Sequence, residues 1–453
     1  MNKCPYPKCQ ADSVPSMTAN SHRQLGVCDH CRNGLIRCAS PSCGALNRFQ
    51  SSYCRICGRP IDWESAHAQF KEHMQIYFES SPEPFMEFDL TPRIPVQHQA
   101  RPVIHVEEVF GRVLVQLPSG YLIILDPLKP NQVEATVWDG PIRTANLGDD
   151  AWMSRPICKG HQLYIASRRQ IVLVDLLNPG QVQQSLFTTE TPSQVICHEP
   201  ALLDGKLLFT VRDQTTRKSV VHIIDQNSHR HVSTIDREFE GDVSRLVPAW
   251  NSSMFFFDSQ SLYKYTLRAN HVQLDKTIPN QRRDSKDRLF SVPANPVAAA
   301  GFVILKGAAG TGTALYSVND RLDVNTIDNT ESGAMQFTVR DEPFAIYLCN
   351  ERGLQVLGLG GARNNHNFDN AQTAEFPPYI YGKYILYTSK DLRPQQRRET
   401  MLIVDKSMHM MARKEFSDIL TPPLLLLGRT YIAYRKDKKI ILGVFRHDIG
   451  KIL

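Results

Sequence analysis

The chain has 453 residues, 42% of them hydrophobic, and its 52 Lys+Arg against 46 Asp+Glu leave a net charge of +6. That excess is too small to mark the whole chain as a polyelectrolyte binder. The apolar run Leu424-Leu427 is far too short to cross a bilayer, and Met1-Cys4 opens without an apolar signal segment, so a cytoplasmic protein with reduced thiols is expected.

In chain order the first feature is cysteine. Eight of the 11 cysteines fall before residue 58, as Cys4/Cys9, Cys28/Cys31, Cys38/Cys43 and Cys54/Cys57. A C-x4-C knuckle followed by a C-x2-C knuckle thus occurs twice. Thiolates at such spacing reach around one small cation, and two pairs supply the four sulfurs of a tetrahedral zinc site. If each repeat is one folding unit, Cys4, Cys9, Cys28 and Cys31 share one ion. Cys38, Cys43, Cys54 and Cys57 then share the second. Pairing like knuckles across the repeats is the alternative. With every position filled by sulfur, two structural zinc ions are expected rather than catalytic ones. Metal binding worth on the order of 10–16 kcal/mol would stabilise a segment with few large apolar groups.

These residues resemble the double zinc ribbon family over about residues 1–60. Gly44 and Gly58 follow the second cysteine of their knuckles, where a tight turn aims N–H groups at sulfur. Gln10 and Arg32 stand at the equivalent places of the first repeat and depart from the pattern. Eight basic residues against two acidic ones in this segment suggest a nucleic-acid footprint. Eight thiolates and two zinc ions reduce that charge to about +2, which puts protein docking first. Nucleic-acid binding through Arg23, Arg32, Arg37, Arg48, Arg55 and Arg59 stays open as an alternative.

From Asp62 the spacing of Trp63, Ala66, Phe70, Met74 and Tyr77 predicts an amphipathic connecting helix with Asp62 as its N-cap. Pro82, Pro84, Pro92 and Pro95 then predict an extended linker, giving a connector over residues 61–99.

Beyond residue 100 one unit recurs: a proline, a short apolar run, a polar turn and a second apolar run. It starts at Pro102, Pro156, Pro200, Pro248, Pro296, Pro343, Pro378 and Pro423. A period in the mid-forties with four short strands predicts a β-propeller over residues 100–453, mainly β, with seven or eight blades. The short step from Pro343 to Pro378 is what leaves seven open. Runs that are apolar on successive residues fit strands buried on both faces. Phe85-Asp89 is placed to complete the last blade as an N-terminal closing strand.

The units resemble quinoprotein-like propellers of the alcohol-dehydrogenase type more than WD-repeat blades, through the hairpin-closing Asp126, Asp175, Asp225 and Asp405. The tryptophan that follows such aspartates in that family is missing here, so its ring-locking interactions are not expected. Lys306-Gly312 and Gly358-Gly361 fail as phosphate or dinucleotide loops because no helix follows and no βαβ unit surrounds them. His198-Glu199 reads as a polar turn. Cys158, Cys197 and Cys349 read as small core residues. The sequence therefore points to a non-enzymatic zinc-binding adaptor that docks protein partners in a multi-protein assembly. No catalytic residue, small-molecule substrate or membrane span is expected. An enzyme with a cofactor in the propeller channel is the remaining alternative.

Overall fold

A computed structural model describes residues 3–5, 25–27, 34–40, 42–48, 51, 53–62, 84–109, 111–126, 136–142, 153–181, 183–235, 238–268, 271–280, 296–309, 312–330, 335–340, 344–350, 353–358, 363–367, 372–391, 398–426 and 429–446. These form eight antiparallel propeller sheets and one separate three-stranded sheet, Leu25–Val27, Gly34–Arg37 and Leu46–Arg48. That small sheet joins the two cysteine repeats, since Leu25–Val27 precedes Cys28 and pairs with Gly34–Arg37. The expected connecting helix falls on residues 63–83, outside the described residues.

The propeller sheets follow one another along the chain. The first blade is His105–Val109, Arg112–Leu117, Tyr121–Leu125 and Thr136–Pro141. Later blades open on the inner strands Ile157–Lys159, Ala201–Leu203, Val247–Pro248, Val297–Ala299, Gln336–Arg340, Tyr379–Tyr381 and Leu424–Leu426. The two apolar runs of each sequence unit are the second and third strands of a blade. Blade number is therefore eight. The short step arises because Pro343 follows its blade's inner strand, Gln336–Arg340, whereas Pro296 and Pro378 precede theirs.

The eighth blade closes the ring. Its strands Leu424–Leu426, Arg429–Lys436 and Lys439–Arg446 are completed by Pro84–Asp89, with Leu442 opposite Phe88 and Ile441 opposite Asp89. Residues inside the expected linker thus belong to the propeller. The inner strand Leu424–Leu426 in turn lies beside His105–Val109 of the first blade. One buried cluster spans this seam and includes Leu90, Ile94, Ile104, Val106, Leu425 and Leu442.

Burial falls from the middle of each blade outward. Ser253–Phe257 is buried at every position, while His271–Pro279, the outer strand of the same blade, is mostly exposed. Neighbouring blades cover both faces of the middle strands, so these carry unbroken apolar runs, each large side chain contributing roughly 1.5–3 kcal/mol. The hairpin aspartates have a local role. Asp175 Oδ1 accepts from the Leu177 N–H at 2.9 Å, and Asp225 Oδ1 from the Ser228 N–H at 2.8 Å. Asp405 Oδ1 accepts from Ser407 at 2.8 Å. These are Asx turns that end the third strand.

Two tryptophans reach across to the neighbouring blade. Trp138 of the first blade lies in a slot walled by its own strand and by the second blade's loop. A Cβ on Gly140 or on Gly180 would come within 2.8 Å of its ring. Trp250 Nε1 donates to Asp320 Oδ1 of the fifth blade at 3.1 Å.

Candidate metal centre

The second cysteine repeat is built on two turns. After strand Gly34–Arg37, the N–H groups of Cys43 and Gly44 both donate to the Ser40 carbonyl, at 2.9 and 3.1 Å. In the second turn Gly58 donates to the Cys54 carbonyl at 2.9 Å, and Cys54 to that of Arg59 at 2.8 Å. Both turns reverse through positive φ, +54° at Gly44 and +68° at Gly58. A side chain at either place would strain the knuckle.

These turns bring Cys38, Cys43, Cys54 and Cys57 together, with all four sulfurs within 4.8 Å of one another. Cys38 Sγ lies 3.6 Å from Cys57 Sγ, and Cys43 Sγ 3.6 Å from Cys54 Sγ. A tetrahedron with metal–sulfur bonds of about 2.3 Å has sulfur–sulfur edges of about 3.8 Å. The quartet therefore fits one tetrahedral, thiophilic ion. Cys38 and Cys54 are buried and Cys57 is exposed. Of the first repeat, Cys4 is buried, and Cys9, Cys28 and Cys31 lie outside the described residues.

The surroundings favour thiolate at Cys54 and disfavour it at Cys38 and Cys43. Burial alone would raise the Cys54 thiol, yet N–H groups of Cys57 and Ile56 and the Asn47 amide donate to its sulfur and hold it down at about 6. Cys38, where burial dominates, is pushed up to about 12. Asn47, 1% exposed, is the hub of this shell. Its Oδ1 accepts from the Arg55 N–H at 2.8 Å, and its Nδ2 donates to the Ala45 carbonyl at 3.0 Å. Nothing in the cysteine spacing marks Asn47 out. It is a buried polar residue in the three-residue strand Leu46–Arg48, whose third member, Arg48, is itself charged.

Three of the candidate nucleic-acid arginines are turned back onto the ribbon. Arg37 Nη1 donates to the Gly44 carbonyl at 3.1 Å, Arg55 Nε to that of Leu46 at 3.0 Å, and Arg59 Nη1 to Ser40 Oγ at 3.2 Å. Held within the same repeat, these guanidinium groups carry charge opposite in sign to the −2 of a divalent tetrathiolate. Arg48 Nε donates to the Pro5 carbonyl at 3.2 Å, which ties the start of the chain to this repeat. Arg23 and Arg32 lie outside the described residues.

The ribbon also touches the propeller. Ile36 is fully buried in the seam cluster of Leu90, Ile94 and Ile104. Ile61 packs both on that cluster and on the cluster of Cys38, Ala45 and Cys54.

A second polar constellation crosses the inner strands. His105 Nε2 lies 3.3 Å from the Met153 carbonyl, and Arg155 Nε 2.6 Å from Glu107 Oε1. Two blades later the pattern recurs: His198 Nε2 lies 2.7 Å from the Val243 carbonyl and Arg245 Nη1 2.7 Å from Glu199 Oε1. Ser154 and Ser244, each preceding its arginine, take the same part. Each hydroxyl accepts a backbone N–H at 3.0 Å, from Ala166 and from Phe257. His198-Glu199 is therefore one half of an inter-blade latch and not an isolated polar turn. Burial holds both imidazoles below the ordinary histidine range. Of the remaining cysteines, Cys349 is buried, while Cys158 and Cys197 are half-buried.

No protein-family model matches this sequence, and no curated protein matches it. Several solved structures resemble this chain. The WD40 β-propeller domain of Doa1 is 12% identical, with 83% of this chain and 98% of that one covered and a TM-score of 0.42. A protein of unknown function from Desulfotomaculum acetoxidans is 8% identical over 65% of this chain and 92% of that one, with a TM-score of 0.40. A prolyl endopeptidase is 11% identical over 66% of this chain, with a TM-score of 0.41, and this chain spans 50% of that enzyme's length. Among the described residues, no helix is long and apolar enough to cross a membrane.

Proposed function

We propose that this chain is a cytoplasmic, non-enzymatic scaffold in which zinc-built knuckles and an eight-bladed ring each dock a protein partner within a larger assembly. The observation that carries the reading is the quartet of Cys38, Cys43, Cys54 and Cys57. Four thiolates complete a tetrahedron, so such a centre offers no open position to a water or a substrate and serves as a structural support. By the repeat in the sequence, Cys4, Cys9, Cys28 and Cys31 hold a second zinc ion in the same way. The test is capture of partners by the tagged full-length chain from native lysate, with and without nuclease, followed by mass spectrometry. Protein partners that persist after nuclease and in high salt are expected; recovery of nucleic acid alone would overturn the reading.

One observation favours a nucleic-acid reading instead. Tyr53, two residues before Arg55 in the chain, is 66% exposed, and such a ring is able to stack on a base. Against it stand the backbone and hydroxyl acceptors that already engage Arg37, Arg55 and Arg59. Steep loss of affinity for a single-stranded oligonucleotide with rising salt would mark that reading as the right one.

A further inference from the structure

We infer that the metal centre formed by Cys38, Cys43, Cys54 and Cys57 is a clasp on the propeller ring, so that loading or stripping its ion closes or loosens the seam between the eighth and first blades. The ring is shut by one strand from the N-terminal side, Pro84–Asp89, which pairs only along its edge with Lys439–Arg446. An outermost strand of this kind is the least protected part of a blade. Immediately after it, Leu90 and Ile94 enter the seam cluster. Ile36 of the ribbon is buried in the same cluster, and Ile36 is separated from the ligand Cys38 by one residue. Ile61 ties the two ends together by packing on the seam on one side and on Cys38, Ala45 and Cys54 on the other.

Among the described residues, the ribbon packs only a small cluster around its ligand sulfurs. Its own cluster consists of Cys38, Ala45 and Cys54 with Cys43 and Ile61 around them, so four of its five members are small and three are ligands. Without an ion these thiols no longer converge, the turns at Ser40–Gly44 and Cys54–Gly58 lose their common anchor, and Ile36 and Ile61 lose the geometry that presses them on the seam. The closing strand then keeps its backbone ladder but loses the cover over its apolar continuation. The consequence is a scaffold whose ring state reports metal supply, independent of which partner it carries. The inference rests on the zinc reading of this quartet and on no particular partner.

The experiment is hydrogen exchange on the purified full-length protein, before and after zinc is stripped with a strong chelator and then restored. Amides of residues 85–90 and 440–445 are expected to exchange roughly tenfold faster after stripping and to recover on zinc addition. Amides of the fourth blade's Ser253–Phe257, remote in the ring, should not change. The variant Ile61→Ser, which keeps every thiol, should hold its zinc by elemental analysis and still show faster exchange at the seam. Seam amides that are indifferent both to stripping and to Ile61→Ser overturn the clasp while leaving the zinc reading intact. Absence of zinc from the untreated protein overturns the zinc reading itself.

Discussion

The Tyr434 hydroxyl donates to Glu87 Oε1 at 2.6 Å, although the two residues stand 347 positions apart in the chain. This bond joins the closing strand to the second strand of the last blade. Lys436 Nζ adds to it, 2.9 Å from Glu87 Oε2, and Lys439 Nζ lies 3.3 Å from Asp89 Oδ2. These polar contacts lie within the eighth blade, on the face that Tyr434 turns toward Met401 and Phe416 of the seventh, while Phe88 and Leu90 carry the apolar face into the seam.

Acid should weaken these polar contacts first. The hydrogen bond from Tyr434 and then the Lys436 ammonium hold the Glu87 carboxyl below its ordinary value. A carboxylate depressed on folding contributes stability that is complete above its unfolded pKa, near 4.3, and disappears as pH falls through the folded one. Thermal midpoints of the wild type should therefore drop more steeply below about pH 4.5 than those of Glu87→Gln. Parallel curves for the two proteins would remove Glu87 from the account.

The tryptophan slot gives a steric test. In Gly180→Ala the new methyl would lie 2.8 Å from Trp138 Cζ3, inside any real contact distance. Overpacking of this kind costs roughly 1–3 kcal/mol, read as a lower denaturant midpoint at unchanged slope. Trp138→Leu should by itself be destabilising but should largely abolish the further effect of Gly180→Ala. Additive losses in the double variant would mean that the two groups do not meet.

Asn47 supplies a test of the metal shell that leaves the ligands alone. Asn47→Ala removes the amide that donates to Cys54 and the oxygen that receives the Arg55 N–H. Loss of such a supporting partner lowers metal affinity by roughly 10–100-fold. Competition with a chromophoric zinc chelator would read that change. The control Cys197→Ser, whose thiol lies in the third blade and is pushed up to about 11 by burial, should leave zinc content untouched.

The duplicated latch allows its two copies to be compared. The Arg155 side chain is 55% exposed and that of Arg245 32%, while both glutamates are 19% exposed. Solvent screens the first pair more than the second. Arg245→Ala should cost more stability than Arg155→Ala, by about 1 kcal/mol, because the less exposed Arg245 guanidinium makes the less screened pair. The opposite order in urea unfolding would show that exposure does not govern these pairs.

Features of the sequence that act locally were legible. Apolar runs on successive residues announced the middle strands, the aspartates announced the hairpin ends, and Phe85-Asp89 could be placed in the last blade because a ring needs a closing strand. The knuckle glycines carried the same kind of local signal, and both adopt the positive φ that their positions suggested. Contacts between blades were not legible. Glu199 meets an arginine one blade further on, and Trp138 meets a loop glycine of the next blade, because ring radius and stagger set those distances and no periodicity encodes them. The eighth blade was obscured by Pro343, which sits on the other side of its inner strand from its counterparts. Asn47 was hidden for a different reason: a single buried amide in a three-residue strand has no pattern to break.

Closure by an early strand also orders the birth of the molecule. A nascent chain exposes Glu87 long before the ribosome delivers Tyr434, so the last blade stays one strand short for most of translation. The cysteine knuckles, made before the blades, sit next to that waiting segment and can mature while seven blades stack behind it. Completion of the ring then waits on the synthesis of the last blade, and a chain truncated before residue 439 would lose the ladder that holds the early strand.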